Sequence, residues 1–153
     1  MRSLTRGEVE GLSKGLSDAL SRAGVVPRIV PRASPLARIA RLWRGSVPIM
    51  ALRQTIWWPG APEDLSAVGL ERQMSVLQHE LQHVLEYATG ELTEVGYALN
   101  PANWQYGYPN LKDAAWGDLG AEQRAQIVQD YWLAERGLLP QGPAPERFRR
   151  LIP

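Results

Sequence analysis

The chain has 153 residues, 44% hydrophobic and 22% charged, with a formal net charge of +1. This length suits one domain that buries roughly two-thirds of its unfolded surface, and the composition is neither that of a disordered nor of a fibrous chain. The absence of cysteine excludes disulfides, thiolate nucleophiles and cysteine–zinc clusters, and only two histidines are present.

The first element is a helix over Thr5–Arg22. Thr5-Arg6-Gly7-Glu8 has the form of a capping box, Val9, Leu12, Leu16, Ala19 and Leu20 recur at helical spacing, and Gly24 supplies a stop. Gly11 and Gly15 weaken this helix, so its stability should come from packing. Val25–Val30 reads as a short strand, kept to an edge by Pro27 and Pro31. Arg38–Arg44 reads as a brief helix or loop, and Val47–Trp58 as a strand or hairpin closed by Pro59-Gly60-Ala61-Pro62.

Ser66–Ala88 carries the strongest helical pattern. At about 100° per residue, Leu70, Met74, Leu77, Leu81, Val84, Leu85 and Ala88 share one face, while His79, Glu80 and His83 lie on the opposite one. Gly90 ends the helix. An aromatic-rich loop, Glu91–Leu119, precedes a last helix at about Ala121–Arg136. The domain is expected to span 1–139. Residues 140–153 read as a Pro-rich tail, too full of breakers to pack regularly.

Charge is uneven along the chain. Seven arginines and no acid lie between Ala19 and Pro62, whereas twelve acids face three basic residues between Glu63 and Glu135. Complementary charge favours contact between the two segments. No recognition motif accompanies the arginines, so a nucleic-acid partner is not expected. No apolar run approaches a membrane span, and Met1-Arg2-Ser3-Leu4 begins no signal peptide; a cytoplasmic location without a membrane partner is the expectation.

His79-Glu80-Leu81-Gln82-His83 is an H-E-x-x-H motif. Two histidines four apart on a helix project from one face, so both imidazoles can meet one zinc ion. Glu80 then stands beside the metal as general base for a water attacking a peptide or amide carbonyl. A third ligand is required. Glu86 and Thr89 occupy the positions where a metzincin needs Gly and His, and cysteine is absent, so this ligand is a carboxylate. Glu91 lies about two helical turns beyond His83, too far along the axis, and Glu94 would require the chain to double back. The last helix offers Glu122, with Asp130 as an alternative ligand or as a residue orienting one. Glu135 is a further acid there. Tyr106, Tyr108 and Tyr131 are the candidate oxyanion donors. Val47–Trp58 is the candidate edge strand for an extended peptide, with Trp57 and Trp58 available to shape a pocket.

The run Leu77–Val84, the later Tyr106-Gly107-Tyr108 and the block Glu122–Tyr131 resemble a family of small bacterial zinc metallopeptidases, the Vgr-related or Rhs-associated proteins encoded near secretion-spike genes. Leu4–Glu8 is similar to their amino-terminal segment. The chain departs from the family after His83, where Leu85-Glu86 replaces Trp-Gln. The resemblance implies an α+β, minimal zincin-like domain of the gluzincin sort, with Glu122 as third zinc ligand. It also implies a peptide or protein substrate, secretion-spike proteins as partners, and export by a contractile apparatus without a signal peptide. The rival expectation is an inactive zincin-fold adaptor or cargo domain of that apparatus.

Overall fold

The computed structural model describes residues 1–35, 37, 47–108 and 110–153. The expected helix or loop at Arg38–Arg44 lies outside them. Among the described residues the fold is α+β, six helices around a small mixed sheet.

The chain opens with β1 (Arg2–Ser3), α1 (Arg6–Glu10) and α2 (Lys14–Arg22). The capping box forms as read: Thr5 Oγ1 accepts from the Glu8 N–H at 3.0 Å, and Glu8 accepts from the Thr5 N–H at 2.8 Å. The single helix expected over Thr5–Arg22 is instead broken at Gly11-Leu12-Ser13, for a tertiary reason. The Gly11 carbonyl accepts from Trp132 Nε1 at 2.8 Å and from Arg136 at 3.3 Å. The Ser13 N–H donates to Gln78 at 3.1 Å. These side chains take backbone groups that a continuous helix would have used.

β2 (Arg28–Val30), β3 (Met50–Leu52) and β4 (Thr55–Trp57) complete a sheet of order β1-β2-β4-β3. β2 runs parallel to β4, with Ile29 opposite Ile56, and the other pairs are antiparallel. The edge position expected for β2 is therefore corrected. Pro27 and Pro31 stand just outside its ladder, and β1 covers its free side. The hairpin reading of Val47–Trp58 is found, and β3 forms the outer edge. Its turn places Arg53 at φ 53°, a left-handed conformation unusual for a residue with a Cβ.

α3 (Glu71–Thr89) starts five residues later than Ser66. Gly69, at φ 86°, turns the chain first, and Ser66 bonds Asp64 rather than capping a helix. Gly90, at φ 80°, ends it in the left-handed cap expected. The segment read as an aromatic loop contains α4 (Glu94–Leu99), capped by Thr93, and two 3₁₀ turns at Pro101–Trp104 and Trp116–Asp118. α5 (Ala121–Glu135) follows, then α6 (Pro145–Arg149).

α3 is the centre of the molecule. Leu77, Leu81 and Val84 pack on Ile29, Ile56, Leu16 and Trp132. The opposite face is covered too, by α5 and β3, so His79 and His83 are buried rather than solvated. A second, smaller core joins Leu119, Ile127 and Phe148. The expectation that the tail would not pack regularly is corrected here. Pro145 sits in the first turn of α6, where its missing N–H costs nothing, and Phe148 is wholly buried.

Candidate metal centre

α3 supplies His79, Glu80 and His83, and the first turn of α5 supplies Glu122. All four are buried, from 4% to 7% exposed. Glu122 Oε2 stands 3.0 Å from His79 Nε2 and 3.5 Å from His83 Nε2. The two imidazole centroids are 5.0 Å apart at 80°. Ligand atoms of His79, His83 and Glu122 all lie within 4.8 Å of one another, so the group can hold a metal ion.

The donor chemistry tests that fit. His83 Nε2 is buried without a well-formed hydrogen bond, its ion-pair contact with Glu122 Oε2 being long at 3.5 Å, so a metal ion would satisfy a ring nitrogen that is otherwise poorly paired. Burial alone would raise the Glu122 carboxyl, but both imidazoles and the Tyr97 hydroxyl outweigh it and hold the group well below the usual carboxylate range. Burial lowers His83, and Glu122 with its acidic neighbours more than reverses this. Glu80 is pushed up by burial against the pull of the same imidazoles. His79, His83 and Glu122 fit a cation, with the Glu80 carboxyl group bordering the same cavity.

These residues border a cavity of about 530 Å³. β3, through Met50 and Ala51, and the preceding Ile49 form one wall, while Tyr97, Trp104 and Tyr106 form the other. Tyr106 stacks on His79 with centroids 6.2 Å apart at 15°. At the rim Arg53 donates to Glu94 at 2.6 Å, joining the β3–β4 turn to α4 and, with it, the arginine-rich segment to the acidic one.

Of the remaining expected site residues, only Tyr106 reaches this cavity. Asp130 accepts from Tyr108 at 2.7 Å and from Gln126 at 2.9 Å, two turns along α5 from Glu122 and outside the metal group. Tyr108 itself packs edge-on against Phe148. Tyr131 donates to Glu135 and lines a separate cavity of about 420 Å³ with Leu16, Val128 and Ile152. Tyr108 and Tyr131 thus lie away from the candidate metal group because they pack on the second core, and Asp130 is held by Tyr108. Trp58 is buried in the main core, and Trp57 lies under Arg32, 5.7 Å from its ring centroid; neither lines the cavity.

Sequence reasoning missed Tyr97, which donates to Glu122 Oε1 at 2.5 Å. Burial and the neighbouring Glu122 raise its pKa strongly. The available signal was Thr93-Glu94, a helix start that turns Tyr97 inward one turn later. Asn103 was missed as well. Its amide oxygen accepts from the Ala121 N–H at 3.1 Å and its NH₂ donates to the Gly96 carbonyl at 3.2 Å, tying α4 to the start of α5.

Comparison with protein-family models, with curated proteins and with solved structures returned no match.

Proposed function

We propose that the protein is a zinc-dependent hydrolase of peptide or amide bonds, a minimal zincin in which His79, His83 and Glu122 hold the metal and Glu80 is the general base. The observation that carries the reading is the buried convergence of three ligand atoms from two helices, with Glu80 beside them on one cavity wall. Two histidines and a carboxylate form the ligand set of catalytic zinc sites, which keep a further position open.

Zinc held there would polarise the scissile carbonyl and lower the pKa of the attacking water. Glu80 takes the proton from that water and returns it to the leaving amine. Its burial raises its basicity. β3, at the sheet edge, offers an extended peptide a strand to align with. Tyr106, beside His79, is the oxyanion donor of this reading. Secretion-spike partners and export by a contractile apparatus belong to the same proposal and are supported by the resemblance described above.

Metal analysis of purified wild type, Glu80→Gln and Glu122→Ala tests it. About one zinc per chain is expected in the wild type and in Glu80→Gln, with hydrolysis of a fluorogenic peptide mixture abolished in the latter. Glu122→Ala should bind zinc more weakly. Wild type purified without chelator that is metal-free and refuses added zinc would overturn the proposal. Zinc bound without hydrolysis would favour the adaptor reading.

A further inference from the structure

The two oxygens of Glu122 face different partners. Oε2 is directed at both imidazoles, 3.0 Å from His79 and 3.5 Å from His83, while Oε1 accepts the Tyr97 hydroxyl at 2.5 Å. Tyr97 is itself held from behind. Its carbonyl accepts from Trp104 Nε1 at 2.9 Å, and the preceding Gly96 carbonyl accepts from Asn103 at 3.2 Å. Its ring also meets His83 edge-on at 6.4 Å. The hydroxyl is therefore fixed on both sides, by main-chain anchors and by the imidazole it borders.

A carboxylate can bind a metal through one oxygen or both, and in a site that must leave room for substrate the difference decides the coordination number. We infer that Tyr97 is a positioning residue that makes Glu122 a one-oxygen ligand, by occupying Oε1 and leaving Oε2 alone to face the metal position. This rests on the metal-site reading and adds to it a residue outside the H-E-x-x-H motif and outside α5. Without the hydroxyl, Oε1 is free to swing toward the metal, filling the position that substrate needs.

Cobalt(II) in place of zinc reports this directly, because four-coordinate cobalt absorbs visible light more strongly than five-coordinate cobalt. Full-length wild type and Tyr97→Phe are titrated with cobalt and, separately, with zinc against a chromophoric chelator. Wild type should give intense visible bands. Tyr97→Phe should give weaker bands, and its zinc affinity should fall about tenfold. The phenyl ring keeps its contact with His83, and circular dichroism checks the fold. Tyr97→Leu, which removes ring and hydroxyl together, should show the same loss of band intensity. Identical spectra and affinities for wild type and Tyr97→Phe would overturn this inference alone. A wild type that takes neither metal would overturn it together with the metal-site reading.

Discussion

Arg124 Nε donates to Glu86 Oε1 at 2.8 Å across the contact between α3 and α5, at a point where Glu86 is 1% exposed. Gln82 donates to the same oxygen at 2.9 Å, and Arg124 also reaches the Leu119 carbonyl. The pair lies one turn from His83 along α3 and two residues from Glu122 along α5. It fixes the register in which the candidate ligands meet.

Removing only the cation leaves a buried carboxylate with just the neutral Gln82 amide as side-chain donor. Arg124→Leu should therefore destabilise the protein by about 3 kcal/mol in urea unfolding. The double variant Glu86→Leu/Arg124→Leu, with neither charge, should recover most of that loss. A double variant as unstable as the single one would show that the pair is not the cause.

Gly120, the residue before α5, has an ordinary extended backbone, so its constraint is one of space alone. A Cβ there would lie 1.9 Å from the Ala102 carbonyl oxygen and 2.6 Å from its carbon, both main-chain atoms. Gly120→Ala must push the Pro101–Trp104 turn off the start of α5. The expected cost is about 2–3 kcal/mol, with weaker zinc binding because Glu122 follows two residues later. Gly117→Ala, where nothing lies within 4 Å, is the control and should change stability by less than about 0.5 kcal/mol.

Glu8 is wholly buried, bonded bidentately by Arg2 at 2.6 and 2.7 Å and by the Leu65 N–H at 2.9 Å. Burial alone would raise its pKa, but Arg2 and the backbone donors outweigh this and lower it below the usual 4.5. A carboxyl lowered on folding stabilises the native state above its unfolded pKa, and that contribution disappears as pH falls through the folded value. Glu8→Gln should thus be less stable than wild type by about 2 kcal/mol at pH 7, with the gap closing below about pH 4.5. Urea midpoints measured from pH 7 to pH 3 test this.

Phe148 lies in the segment whose composition argues against packing, yet it fills the second core with Leu119 and Ile127. Phe148→Ala should cost about 3–4 kcal/mol, lowering the thermal midpoint by roughly 10 °C. Deleting residues 140–153 should have a comparable effect. An unchanged midpoint in the truncated chain would show that α6 contributes nothing to the fold.

The candidate metal group was legible to the extent that it is local. His79, Glu80 and His83 are fixed by one helix period, and the stop at Gly90 follows from a left-handed cap. Glu122 was reachable because the absence of cysteine leaves a carboxylate and the wheel of α5 separates it from Ile127. What the helix wheel could not show is that the histidine face of α3 is enclosed. A period of 3.6 identifies opposite faces but not what covers each, and here the covering comes from β3 and α5. The break at Gly11–Ser13 was hidden for the same reason, since the groups that cause it, Trp132 and Gln78, are distant in sequence. Phe148 escaped because the breaker-rich run Pro140–Ala144 precedes a short helix that packs well.

The bond from Trp132 Nε1 to the Gly11 carbonyl joins residues 121 apart. The junction between α1 and α2 is thus shaped by a side chain far downstream, in α5. Until α5 is in place, α1 and α2 lack the partner that sets their angle, whereas β1 depends on β2 and Pro62 instead. Setting that angle requires closure of a long loop, the kind of contact that slows folding relative to local pairing.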